Sequence, residues 1–161
     1  MSRKTVVVVA VLAAAVLLGG LLAVRALAFD ERAAAPPTAV DTGDPSFFGV
    51  FEGRVPCAGC ERVKVRLVLR QNPATSEPTT YVLEQINVGQ GDERHTTSGR
   101  WTITRGTKAD PRAAVYRLGA RAPEGFRLYQ VADDNILLFL DDGMRLKVGD
   151  AGHSYTLSRT S

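Results

Sequence analysis

Val63-Lys64-Val65-Arg66-Leu67-Val68-Leu69-Arg70 alternates strictly enough that Val63, Val65, Leu67 and Leu69 fall on one face and Lys64, Arg66 and Arg70 on the other. A helix would scatter those residues around its surface, whereas an extended strand buries one set and wets the other. Similar runs recur near every ten residues from Phe47 onward, at 47–55, 79–88, 94–104, 114–119, 126–132, 135–140, 144–148 and 153–159. Between them lie reversals such as Asn72-Pro73, Gly89-Gln90-Gly91-Asp92, Asp110-Pro111, Pro123-Glu124-Gly125 and Asp141-Asp142-Gly143. No stretch after residue 46 carries a helical stripe. The pattern predicts an all-β domain over 47–161 with eight or nine antiparallel strands. An up-and-down β-barrel is the simplest closure because it leaves no exposed edge, and a two-sheet sandwich is the alternative.

The chain ahead of that domain is of a different kind. Residues 5–24 hold 17 apolar aliphatic residues and no charge, and Arg3 and Lys4 precede them. A run of this length spans about 30 Å of hydrocarbon as a helix, and its basic end stays in the cytoplasm. Residues 1–28 therefore read as a transmembrane anchor or signal peptide. Cleavage fits after Ala26-Leu27-Ala28, although the apolar run exceeds that of a usual cleaved signal. Residues 29–46, with Pro36-Pro37, read as a linker. The domain is then expected outside the cytoplasm, in the cell envelope or periplasm. It is tethered to the inner membrane by 5–24 or released near Ala28.

Charge excludes one class of partner. Of 20 Lys and Arg, Arg3, Lys4 and Arg25 flank the apolar run, which leaves 17 against 17 Asp and Glu. Arg100, Arg105, Arg112, Arg117, Arg121 and Arg127 are interleaved with acids on outward strand positions. Nucleic acid is not an expected partner.

The chemistry gathers at Val55-Pro56-Cys57-Ala58-Gly59-Cys60-Glu61, between the first two strands. Pro56 ends pairing, and Gly59 permits the tight backbone that brings two sulfurs together. Three readings remain open. Cys57 and Cys60 form a structural or redox-sensitive disulfide, the default for an exported site. As soft thiolates they bind Cu(I) or Zn(II). Or they act as a thiol-disulfide oxidoreductase, which needs a helix start to stabilise the thiolate and has none announced here. His95, His153 and Met144 are the other donors, spread over separate strands. Asp133-Asp134 and Asp141-Asp142 read as turn residues, and no phosphate loop, HExxH or GxSxG occurs, so no enzyme is expected. Ten aromatic residues from Phe47 to Tyr155 read as core, with a pocket for a small apolar ligand as the alternative.

The run Phe48-Gly49-Val50-Phe51-Glu52-Gly53-Arg54-Val55-Pro56-Cys57-Ala58-Gly59-Cys60 resembles the opening of the NlpE N-terminal domain family of bacterial envelope proteins, described as copper-resistance or copper-homeostasis lipoproteins. The resemblance continues through Leu67-x-Leu69, Thr80-Tyr81-Val82-Leu83, Ser98-Gly99-Arg100-Trp101-Thr102, Leu138-Phe139-Leu140-Asp141-Asp142-Gly143 and Tyr155-Thr156-Leu157, across 47–159. It implies a lipocalin-like barrel with Cys57 and Cys60 as a copper- or redox-responsive pair. A stress-sensing role with an envelope sensor or other periplasmic partner is implied too. The sequence departs from the family in having Gly59 where Asp is usual and no lipidation cysteine after the apolar run. No second, OB-like domain is expected after the barrel.

Overall fold

The structure is a computed structural model that describes residues 43–150 and 152–161. The expected anchor or signal at 1–28, and linker residues 29–42, lie outside the described residues.

The described chain is a closed antiparallel barrel in which each strand pairs with the next and the last returns to the first. The strands are β1 (Phe47–Val55), β2 (Arg62–Gln71), β3 (Pro78–Val88), β4 (Glu93–Arg105), β5 (Ala114–Leu118), β6 (Leu128–Asp133), β7 (Ile136–Phe139) and β8 (Thr156–Arg159). The fold is therefore the all-β up-and-down barrel, and the sandwich is excluded. Closure is made by Phe51↔Arg159 and Glu52↔Ser158. Thr160 and Ser161 prolong the seam by exchanging backbone bonds of 2.8 and 2.9 Å with Val50. Gly53 permits the crossing, since a Cβ there would sit 2.8 Å from Leu157 Cδ2.

The alternation of β2 plays out as its chemistry dictates. Val63, Val65, Leu67 and Leu69 enter the core while Lys64 stays exposed. The interior is filled by large side chains, of which Trp101, Tyr81, Tyr129, Phe51 and Phe139 are almost wholly buried. Gly99 lies opposite Tyr81 across β3 and β4, where an added Cβ would approach the ring to 3.0 Å. The Tyr129 hydroxyl donates to the Phe126 carbonyl at 2.9 Å. Complete burial pushes its pKa well above the ordinary tyrosine value, so it stays protonated.

Residues 144–148, one of the runs expected as a strand, instead form a strap. Leu146 makes one isolated bridge, to Leu140. The physical reason is local. Asp141 accepts the Met144 and Arg145 backbone N–H groups, through its carbonyl and its side chain at 2.9 Å each, and Met144 adopts a φ of +63°. That turn aims Met144 at a second small cluster of Val115, Leu128 and Leu140, separate from the main core. The burial offsets the cost of left-handed backbone at a non-glycine residue. Met144 also accepts the Lys108 N–H at 2.9 Å, which ties the strap to the β4–β5 connection.

Carboxylates pin three of the non-strand segments. Asp44 accepts the Ser46 backbone N–H at 2.8 Å and pairs with Arg70. Asp141 holds Arg145, and Asp150 accepts the backbone N–H groups of Gly152 and His153 at 2.9 Å each. In each case backbone hydrogen bonding is the first cause that holds the carboxyl below its usual range. A lowered folded value makes the contribution present above the unfolded value, near 3.8, and lost as pH falls through the folded one. The urea midpoint is expected to fall as pH drops from about 5 toward 2. Asp44→Asn is expected to flatten part of that decline; an unchanged profile would contradict the assignment.

Candidate functional site

In an up-and-down barrel the β1–β2, β3–β4, β5–β6 and β7–β8 connections share one end. The cysteines occupy the first of these. Pairing of β1 with β2 stops at Val55↔Val63, just before Pro56, and the chain turns through 56–61. Gly59 takes a φ of +96°, which favours glycine there. The loop is fastened to the β3–β4 end: Glu61 N–H donates to the Val88 carbonyl at 3.0 Å, and the Gln90 side-chain amide donates to the Gly59 carbonyl. Gly89, with a φ of +85°, allows the close approach, since a Cβ there would stand 3.3 Å from Glu61 Cβ.

This anchoring holds the Cα atoms of Cys57 and Cys60 5.3 Å apart, with the sulfurs at disulfide distance. Both side chains are half-buried and pack against the main core, while Ala58 and Gly59 are exposed. The Cys60 sulfur lies 3.5 Å from the Arg62 carbonyl, an acceptor for a thiol S–H once the bond is reduced. Glu61 and Arg62 pair with each other beside the loop. The described residues contain no helix, so neither cysteine stands at a helix start.

The remaining donors stay apart. His95 Nε2 is 3.6 Å from Glu93 Oε2, and His153 Nδ1 is 3.6 Å from Asp150 Oδ1. Met144 is engaged in the strap cluster. Among the described residues no group of three or more His, Cys, Asp or Glu side chains is placed to hold a metal ion. Two thiolates are thus the donor set the site itself offers, which suits a soft, low-coordinate cation such as Cu(I) better than a four-ligand zinc centre. The expected turn residues are turns: Asp133 Oδ1 accepts the Asn135 N–H at 2.7 Å, and Asp141 caps the strap. Gln90 was legible only as part of a turn, because its contact lies 31 residues away in sequence.

A bond closing so short a loop constrains the unfolded chain little. Reduction is expected to cost on the order of 2 kcal/mol or less and to leave the barrel folded. Urea unfolding with and without a phosphine reductant checks this; loss of the fold on reduction would contradict it.

A family model described as the NlpE N-terminal domain matches residues 51–149. A crystal structure of a candidate lipoprotein from Shewanella oneidensis is similar at 25% identity and a TM-score of 0.46, covering 70% of this chain and 88% of that one. A search of curated proteins gives no match.

Proposed function

This chain belongs to the NlpE N-terminal domain family, and from that premise we propose that it is a non-enzymatic envelope protein whose Cys57–Cys60 pair senses copper or redox state. The observation that carries the reading is the placement of the two sulfurs. They stand at disulfide distance on a fastened loop at the barrel end, with the loop's tip open to solvent. Oxidised, the pair is a disulfide with no lone pair committed to a metal. Reduced, it offers two adjacent thiolates that would hold Cu(I), the cation such soft donors favour. One site therefore reads both signals. The protein acts in the cell envelope, through an apolar segment at 5–24 that anchors it to the inner membrane or is cut near Ala28. Its partner is an envelope sensor or another periplasmic protein.

The reduced full chain is expected to take about one Cu(I) and the oxidised chain none. Competition with a chromophoric Cu(I) chelator measures this. Unchanged binding by Cys57→Ser/Cys60→Ser would overturn the copper half of the reading. The rival, disulfide exchange catalysis, predicts insulin reduction by the wild type that Cys57→Ser abolishes. A lipocalin-like carrier predicts a co-purifying lipid; the closely packed aromatic interior argues against that reading.

A further inference from the structure

The outer wall of β1–β3 carries a groove of about 360 Å³ lined by Glu52, Arg54, Lys64, Arg66, Glu84 and Ile86, with backbone at its floor. Across this wall the register sets Glu52, Arg66 and Glu84 in one row and Arg54, Lys64 and Ile86 in the next. The first row alternates in sign. Arg66 Nε lies 3.0 Å from Glu52 Oε1, and Arg94 Nη1 lies 2.6 Å from Glu84 Oε2, so both carboxylates are engaged. The second row is different. Arg54 and Lys64 are directly opposite each other, and neither side chain has an ion pair, hydrogen bond or ring contact among the described residues.

Like charges directly opposite on paired strands destabilise a sheet, their Cβ atoms being about 5 Å apart. A groove that retains such a pair, between ion pairs that have used up the neighbouring carboxylates, is complementary to an added anion. We infer that this groove binds a terminal phosphate group, as the free inorganic ion or as the monoester headgroup of a lipid, bracketed by Arg54 and Lys64. A carboxylate would compensate one of the two cations, whereas a terminal phosphate carries about 1.5 to 2 negative charges at neutral pH. The Arg54 guanidinium presents a fork to two of its oxygens, and the Lys64 ammonium acts as a point charge. Ile86 supplies an apolar wall beside the anion. The site lies on the barrel exterior and does not depend on the state of the cysteines.

The test is an amide-shift titration of the full chain in neutral maltoside micelles, first with inorganic phosphate and then with micelles doped with phosphatidate or, as control, phosphatidylcholine. Saturable shifts at Arg54 and Lys64 are expected. Saturation with inorganic phosphate assigns the free ion, and saturation with phosphatidate alone assigns the headgroup. Arg54→Gln/Lys64→Gln is expected to weaken binding about tenfold or more, while Arg117→Gln on β5 leaves it unchanged. Lys64→Gln is also expected to raise Tm in phosphate-free buffer, by removing the repulsion, and to lose the Tm gain that phosphate gives the wild type. No saturable shift with either phosphate, or equal affinity in the double variant, would overturn the proposal.

Discussion

Replacing Trp101 by alanine is expected to destabilise the barrel by about 4 kcal/mol, the upper part of the range for emptying a large aromatic site. Trp101 is 1% exposed and sits where β4 passes from one neighbour to the other, since pairing with β3 ends at Thr80↔Arg100 and pairing with β5 begins at Trp101↔Leu118. Its ring lies 5.3 Å from Phe48 and 4.9 Å from Tyr116, centroid to centroid, in tilted and edge-on contacts. Its Nε1–H donates to the Arg70 carbonyl at 2.7 Å, joining β4 to β2 across the barrel end. Alanine removes the contacts, leaves a cavity and strips that carbonyl of this donor. A domain of this size has about 5–15 kcal/mol in total, so the alanine variant gives up roughly a quarter to four-fifths of its margin. Trp101→Phe keeps much of the volume and loses the hydrogen bond, so about 1–2 kcal/mol is expected. Urea titration followed by far-ultraviolet circular dichroism measures both, because the chain has one tryptophan and the variants lose its fluorescence. A loss below about 2 kcal/mol for the alanine variant would show that the end of the barrel collapses to fill the site.

The parts of this fold legible in the sequence are those set by local rules. The β2 alternation identified its core-facing side because pairing with neighbours on both sides keeps the strand extended and its side chains alternating, although outward Val68 is buried as well. Paired aspartates read as turns because an Asp side chain serves the backbone within a few residues. The Pro56 and Gly59 positions marked a loop able to bring two sulfurs together for the same reason. What failed to show was decided at long range. Residues 144–148 have the composition of a strand, yet a left-handed Met144 and an apolar patch on β5 and β6 make them a strap. No local signal distinguishes an apolar residue that pairs in a ladder from one that covers the outside of the barrel. The Gln90 latch on Gly59, and the facing of Arg54 and Lys64, likewise depend on register, which alternation alone does not fix.

Arg159 is a long-range case with a large expected effect. It shares strand parity with Tyr155 and Leu157, a clue that its side chain turns inward. In the structure it lies opposite Phe51 at the closing seam. Its guanidinium is 4.7 Å from the Phe51 ring centroid and 5.2 Å from that of Phe48. It donates from Nη1 to the Phe48 carbonyl at 2.7 Å and from Nε to the Asp134 carbonyl at 2.8 Å. One side chain therefore joins β1, β8 and the β6–β7 turn. Gly49 is its complement, since a Cβ there would stand 2.9 Å from Arg159 Cζ. Arg159→Ala removes two charge-assisted bonds and the ring stacking, and about 3 kcal/mol of stability is expected to go with them. Arg159→Lys keeps the charge but lacks the planar fork that reaches two carbonyls at once, so it is expected to recover less than half of the loss. Hydrogen exchange locates the effect: amides of β1 and β8 are expected to lose protection before those of β2 and β3, since the seam is the shortest ladder Arg159 supports. Uniform loss across all strands would mean that Arg159 stabilises the barrel as a whole and does not latch its closure.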